Sequence, residues 1–202
     1  MTLIEVAEVI GIISFALSGF FIATGVKLDI LGVLIASFLT ALGGGVIRDV
    51  LVGRELYAFS SNLASLLVIS VVLIATLFKL QKFAKIEKSS YFVVADTLGL
   101  VSFAISGALI GLEAEFNFFG VVLLSLITAV GGGVLRDMLI NKIPLILDSE
   151  FYGSVAIVVG ICIYLLGQGG ILNFFTIMLV FFIGLTLRFV AFYKKWHLPK
   201  IL

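Results

Sequence analysis

The chain contains the same segment twice, and the two copies keep a constant offset of 88 residues without a gap. Ser14–Gly19 (SFALSG) returns as Ser102–Gly107 (SFAISG), and Thr40–Asp49 (TALGGGVIRD) returns as Thr128–Asp137 (TAVGGGVLRD). Two long matches at one offset exclude coincidence and indicate a duplicated structural unit.

The solvent of this unit is a lipid bilayer. Hydrophobic residues make up 62% of the chain and charged residues 12%, about half the charge of an ordinary soluble domain. A membrane-spanning helix needs roughly 20 mostly apolar residues. The predicted spans lie near 3–26, 29–52, 57–79, 91–112, 116–140, 151–167 and 170–193.

These spans predict an all-α integral membrane protein with a single membrane domain, 1–202. The first repeat covers about 3–80, the second about 91–168, and an extra helix about 170–193. Each repeat has three spans, an odd number, so the second copy must enter the membrane from the opposite side. Inverted repeats of this kind recur in proteins that move solutes or ions, with the site at the repeat interface. Duplication for stability alone is the alternative.

The lysines predict the orientation, since cytoplasmic loops carry the excess of positive charge. With the N-terminus outside, the C-terminus and both large lysine clusters become cytoplasmic. Those clusters are Lys79, Lys82, Lys85 and Lys88, and Lys194, Lys195 and Lys200.

Three consecutive glycines occur in the second span of each repeat, at Gly43, Gly44 and Gly45 and at Gly131, Gly132 and Gly133. Each glycine weakens a helix by about 1 kcal/mol relative to alanine, so we predict that both helices are broken there. A break at membrane depth is tolerated where it lines a water-filled path. The freed carbonyls of Gly43, Gly44, Gly131 and Gly132 could then coordinate a monovalent cation.

Close helix packing is the alternative for these glycines. Ala36, Thr40 and Gly44 lie four residues apart, as do Ser37, Ala41 and Gly45. The two interpretations are compatible. Thr40 and Thr128 are also candidates to line the pore.

An arginine and an aspartate follow each triplet, as Arg48–Asp49 and Arg136–Asp137. Placing Ile30 at the membrane edge puts Gly44 past the midplane and Gly132 on the other side. The arginines are therefore expected near opposite mouths of a polar path, within reach of water by snorkelling. Simple anchoring at the interface is the alternative. Glu8 and Asp96 occupy matching positions near the starts of the first and fourth spans and are expected at an interface.

Four serines share helix faces at four-residue spacing: Ser14 and Ser18, and Ser102 and Ser106. They could line a pore or join helices, and the sequence leaves both open. The sequence has no metal-ligand cluster, no nucleophile beside a base and no phosphate loop, so we expect neither an enzyme nor a cofactor. It also has no basic face that would indicate nucleic acid.

The doubled Gly-Gly-Gly-x-x-Arg-Asp motif in a three-plus-three-plus-one membrane protein resembles the prokaryotic members of the trimeric intracellular cation (TRIC) channel family, also labelled glycine-transporter-domain proteins. The resemblance covers roughly residues 3–193. It implies a homotrimer in the prokaryotic plasma membrane, with one pore in each subunit between the two repeats. It also implies permeation by potassium or sodium, with potassium the leading ion. The glycine triplets would carry the family's helix kinks, and Arg48, Asp49, Arg136 and Asp137 would be the pore-associated charges.

Two other functions compete with a passive channel: a secondary transporter of a small amino acid such as glycine, and a structural membrane scaffold. A transporter would be expected to carry paired carboxylates in mid-span, and no such pair is evident in the predicted spans, which favours the channel.

Overall fold

The structure is a computed structural model that describes residues 2–83, 90–148 and 151–196, and these residues form helices and connecting turns. The helices are α1 (Leu3–Gly25), α2 (Ile30–Val52), α3 (Tyr57–Ser60), α4 (Asn62–Leu77), α5 (Ser90–Glu113), α6 (Phe118–Leu139), α7 (Leu145–Asp148), α8 (Tyr152–Gln168) and α9 (Phe174–Lys194), with a 3₁₀ turn at Leu80–Phe83.

Short polar side chains begin several of these helices. The Asp29 carboxylate accepts a hydrogen bond from the Gly32 amide at 2.7 Å, and Asn117 accepts one from the Gly120 amide at 2.9 Å. Each cap satisfies an amide that has no partner within its own helix. The two capped helices, α2 and α6, stand at the 88-residue offset, so the duplication extends to how they begin.

The same offset relates four pairs of helices: α1 to α5, α2 to α6, α3 to α7 and α4 to α8. The centre of the molecule is made by equivalent helices, because α1 packs along α5 and α2 packs along α6. The unmatched helix α9 lies outside this centre, against α8 and α5.

The predicted spans agree with the helices to within four residues, with one exception. The third span, predicted as 57–79, consists of α3 and α4, which are separated at Ser61 by extended backbone (φ −104°, ψ 115°). Five helices in the described residues are long and apolar enough to cross a membrane, whereas α4 and α8 are shorter, with 16 and 17 residues. The chain is thus an all-helical, multi-pass membrane protein, and the count of seven spans stays a prediction.

Burial is graded from the centre outwards. Most of α5 is buried, whereas α9 exposes large side chains such as Phe175 and Phe182, as expected for a helix in contact with lipid. Lys79, Lys82, Lys194 and Lys195 are exposed. Lys85, Lys88 and Lys200 lie outside the described residues, so the orientation also stays a prediction.

Candidate functional site

The two glycine triplets meet where α2 crosses α6. A Cβ atom on Gly44 would collide with the carbonyl oxygen of Thr128, and a Cβ atom on Gly132 would collide with the carbonyl oxygen of Thr40. Only glycine allows the two backbones to approach this closely, as in small-residue contacts between membrane helices.

The helix break predicted at the triplets is absent, because α2 and α6 run without interruption through Gly43–Gly45 and Gly131–Gly133. The partner backbone supplies the reason for glycine there, and intrahelical hydrogen bonds keep the carbonyls occupied. Cation coordination by the carbonyls of Gly43, Gly44, Gly131 and Gly132 depended on the break and loses that support.

The crossing also corrects the predicted depth of the triplets. A Cβ atom on Gly44 would lie 3.4 Å from the Gly132 nitrogen, so the two triplets lie at one depth rather than on opposite sides of the midplane. The estimate failed because it placed the membrane edge at Ile30.

The third glycine of each triplet faces away from the crossing. A Cβ atom on Gly45 would have Arg48 Nη2 as its near neighbour at 3.7 Å, and one on Gly133 would have Arg136 Nη2 at 3.7 Å. The middle glycine of each triplet therefore packs against the opposite helix. The last glycine, which has no side chain, leaves space beside the arginine that follows it.

The first cluster consists of Glu8, Arg48, Asp49 and Ser106. Arg48 Nη1 lies 2.8 Å from Glu8 Oε1 and donates a hydrogen bond to Ser106 Oγ at 2.8 Å. Its Nε and Nη2 donate to Asp49 Oδ1 at 2.8 Å and 2.7 Å. The Arg48 side chain is 1% exposed, and all three of its nitrogens have partners.

The second cluster consists of Ser18, Asp96, Arg136 and Asp137. Arg136 Nη1 donates to Ser18 Oγ at 2.8 Å and, more weakly, to Asp96 Oδ1 at 3.3 Å. Ser18 Oγ in turn donates to Asp96 Oδ1 at 2.8 Å, so the serine bridges the pair. Arg136 Nε donates to Asp137 Oδ1 at 2.8 Å.

Each cluster joins the two repeats. Arg48 of the first repeat bonds Ser106 of the second, and Arg136 of the second repeat bonds Ser18 of the first. The four residues of one cluster are the offset equivalents of the four residues of the other. Each cluster holds two buried carboxylates, so the prediction that the spans lack paired carboxylates is wrong, and that criterion does not separate a channel from a transporter.

The clusters are stacked along the centre of the molecule. Glu8 and Ser18 are ten residues apart on α1, as are Asp96 and Ser106 on α5, which corresponds to about 15 Å along a helix. That separation is about half the thickness of the hydrocarbon core.

The expectation that the arginines snorkel to opposite mouths is wrong. Arg48 and Arg136 are 1% and 0% exposed, because carboxylates and serines inside the protein satisfy their donors. Burial of an arginine at membrane depth is tolerated with such partners.

Glu8 and Asp96 were expected at an interface, and this expectation is also wrong. Both are 3% exposed and pair with the arginines. The signal that could have identified them was present: two acids at the 88-residue offset, on the helices that carry the repeated serines.

The aspartates after the arginines have a second contact. Asp49 Oδ2 accepts a hydrogen bond from the Tyr57 amide, and Asp137 Oδ2 accepts one from the Leu145 amide, both at 3.0 Å. These amides begin α3 and α7, so each aspartate ties its cluster to the short helix that follows.

Four other residues predicted for the site lie outside the two charge clusters. The hydroxyls of Thr40 and Thr128 donate to the carbonyls of Ala36 and Leu124, each at 2.6 Å. Ser14 and Ser102 are buried but belong to neither cluster; Ser102 lines an apolar cavity between α1, α5 and α9.

A small cavity adjoins the first cluster, lined by Glu8, Gly45, Arg48, Asp49 and Tyr57 among others. Its volume is about 10 Å³, which is room for about one water molecule. In the described part of the chain, no group of three or more His, Cys, Asp and Glu side chains is arranged to hold a metal ion.

A family model described as "Glycine transporter" matches residues 5–80 and 93–168. The two matched segments stand at the same 88-residue offset, so the model recognises both copies of the repeat. Among curated proteins, the UPF0126 membrane protein YvgT of Bacillus subtilis is 33% identical over 196 residues, covering 97% of this chain and 95% of that protein.

Solved structures of the same architecture also match. A TRIC cation channel is 33% identical and superposes with a TM-score of 0.86, covering 98% of this chain and 97% of that one. The TRIC trimeric intracellular cation channel orthologue from Rhodobacter sphaeroides is 25% identical, with a TM-score of 0.86, covering 96% and 100% of the two chains.

Proposed function

The chain is a prokaryotic member of the TRIC channel family, whose sequence model carries the description "Glycine transporter", and from that membership we propose that it conducts monovalent cations, with potassium the main ion. The proposed path runs between the two repeats, past the first cluster, the third glycines of the triplets and the second cluster. The observation that carries this proposal is the stacking of two buried charge clusters at the repeat interface.

The charge of the clusters favours cations. Each cluster has two carboxylates and one guanidinium (Glu8, Asp49 and Arg48 in the first), so each carries one net negative charge when ionised. A unit charge about 6 Å from an ion, at an effective dielectric of about 20, is worth roughly 3 kcal/mol before water screens it. That attraction counters the repulsion expected from the arginines alone.

The reciprocal contacts support an inverted repeat. Each hydrogen bond that joins the repeats at the clusters recurs at the 88-residue offset in the opposite sense, which is what a twofold axis between the repeats produces. Such an axis in the membrane plane places the clusters at equal depths on either side of the glycine crossing.

The same contacts suggest how the path is closed. The arginines bond across the repeat interface, and the crossing at Gly44 and Gly132 has no room for a methyl group. Conduction then requires these cross-repeat bonds to separate. Interfaces held by alternative polar contacts are suited to such two-state opening.

Three further features belong to this proposal. The protein assembles as a homotrimer, as the Rhodobacter orthologue is named. It resides in the prokaryotic plasma membrane. Its N-terminus lies outside and its C-terminus inside, so the first cluster occupies the outer half of the path and the second the inner half.

Recording from purified protein in planar bilayers tests the function. Under a potassium chloride gradient, unitary currents should reverse near the potassium equilibrium potential, as required for a cation path. Reversal near the chloride potential, or saturable glycine uptake by vesicles without unitary currents, would contradict the proposal.

A matched pair of serine variants locates the path. Ser106→Ala removes a bond of the first cluster, whereas Ser102→Ala makes the same change one turn away, outside both clusters. The proposal expects altered open probability or unitary current in Ser106→Ala alone. Equal effects of the two variants would remove the path from the clusters.

A further inference from the structure

Helix α9 has no counterpart in the first repeat, yet it directs a charged side chain into the protein. Its buried residues form one stripe, which consists of Ile177, Val180, Gly184, Arg188 and Ala191. The remaining faces carry exposed apolar side chains such as Phe175 and Phe182. Arg188 is 5% exposed, so it lies on the inner face of a helix whose other faces carry exposed apolar side chains.

Gly184 seats this stripe against the second repeat. A Cβ atom there would lie 2.9 Å from Val101 of α5 and 3.0 Å from Val159 of α8. The close approach brings Arg188, one turn further along, to the start of α8.

The Arg188 guanidinium stacks on Tyr152, the first residue of α8. Its central carbon lies 5.0 Å from the centre of the Tyr152 ring and 5.9 Å from that of Phe192. Both distances fall within the range of cation–π attraction. Tyr152 is itself 3% exposed, so both sides of this contact are buried.

The other edge of Tyr152 reaches the second cluster. Its hydroxyl would lie 3.9 Å from a Cβ atom on Gly133, and Arg136 Nη2 would lie 3.7 Å from the same atom. The hydroxyl is buried and has no hydrogen-bond partner among the described residues. Tyr152 therefore occupies the side of the Arg136 cluster that Gly133 leaves open.

The first cluster is built differently at this place. The residue at the 88-residue offset from Tyr152 is Ala64, whose side chain has no hydroxyl group. Arg48 Nη2 donates instead to Asp49, whereas within the described residues Arg136 Nη2 has no hydrogen-bond acceptor. The tyrosine and the arginine behind it are specific to the second cluster.

An arginine on a lipid-facing helix is expensive to insert, and such residues usually serve a function. We propose that Arg188 is a positioning residue, which holds the Tyr152 hydroxyl at the second cluster and makes that half of the conduction path unlike the first half. This inference rests on the proposed cation conduction.

The test compares unitary currents at equal voltages of opposite sign in wild type, Arg188→Gln, Arg188→Lys and Tyr152→Phe. Lys194→Gln is the matched control, since it removes an exposed charge from the same helix. Loss of the tyrosine's fixed position should change the current ratio in Arg188→Gln by about twofold or more. Arg188→Lys keeps the charge but not the planar stacking, so it should also change the ratio.

The combination with Tyr152→Phe separates positioning from direct electrostatics. If Arg188 acts through the tyrosine hydroxyl, Arg188→Gln should add little to the ratio in the Tyr152→Phe background. A full additional change there, or a ratio in Arg188→Gln that matches Lys194→Gln, would overturn the inference.

Wild-type protein that passes no cations would instead refute the proposed function. Positioning would then be judged by melting temperature in detergent. Non-additive losses in Arg188→Gln and Tyr152→Phe would support it, and strictly additive losses would overturn it.

Discussion

The two charge clusters are offset equivalents made from the same kinds of residue, yet they are held together differently. In the first, Arg48 meets Glu8 directly at 2.8 Å, and the Ser106–Glu8 contact is long at 3.4 Å. In the second, the Arg136–Asp96 contact is 3.3 Å, and Ser18 bonds both partners at 2.8 Å. The shorter aspartate leaves a gap that the serine fills.

The difference shows how a duplicated unit acquires two separate halves. Glu8 has one methylene group more than Asp96. The longer side chain reaches its arginine directly, whereas the shorter one is joined to its arginine mainly through the serine. The tyrosine and the arginine from α9 add a layer to the second cluster alone. We therefore expect the first cluster to depend on its arginine and the second on its serine.

Removal of the arginines should have the largest effect. Arg48→Met and Arg136→Met each remove the buried counter-charge of two buried carboxylates, which typically costs about 3–5 kcal/mol. Arg48 bonds through three nitrogens and Arg136 through two, so Arg48→Met should lower the free energy of unfolding more. Denaturation in detergent measures both, and a larger loss in Arg136→Met would reverse the comparison.

Alanine substitutions at the glycine crossing should destabilise the two repeats equally, and they give the reference for the differences between the clusters. Gly44→Ala and Gly132→Ala each push a methyl group into a carbonyl of the partner helix, an overpacking cost of about 1–3 kcal/mol. The two losses in melting temperature should be equal. Gly45→Ala is the control, because its methyl group would meet only Arg48 at 3.7 Å and should not lower stability. Unequal losses at Gly44 and Gly132 would mean that the repeats differ at the crossing too.

The serines should reverse the order found for the arginines. Ser18→Ala breaks two hydrogen bonds of 2.8 Å, whereas Ser106→Ala breaks one of 2.8 Å and one of 3.4 Å. Each buried bond is worth about 0.5–1.5 kcal/mol, more when it involves a charged group. The free energy of unfolding should fall further in Ser18→Ala. Equal losses would show that the bridging role of Ser18 is not real.

The smallest effect is expected at Arg54. Its Nε lies 3.7 Å from Asp49, and its side chain is 37% exposed, so water screens the pair and its worth is about 0–1 kcal/mol. Arg54→Gln should leave the melting temperature nearly unchanged. A loss comparable to that of Arg48→Met would make Arg54 a member of the first cluster.

The sequence predicted the helices well because hydropathy is a local property. The repeat also singled out the arginines, the aspartates after them and the serines of both clusters, but the predicted exposure of the arginines was wrong. The repeat could not reveal that Glu8 meets Arg48, since that contact depends on how α1 packs beside α2.

The predicted helix break at the glycine triplets was wrong for a similar reason, whereas the alternative of close helix packing agrees with the structure. Their helical weakness is a local property, but the carbonyls of Thr40 and Thr128 that require glycine belong to the opposite helix. The sequence did not indicate a role for Arg188, because α9 lies outside the repeat and has no equivalent helix at the 88-residue offset.

In the proposed path, ions pass the two clusters along the helix faces that carry Gly45 and Gly133. The most direct measurement is the unitary conductance of the double variant Gly45→Ala with Gly133→Ala, which adds a methyl group beside each arginine without touching the crossing. We expect a lower conductance with the melting temperature unchanged or raised, since alanine favours helix by about 1 kcal/mol. Wild-type conductance in a folded double variant would contradict it and place the path elsewhere.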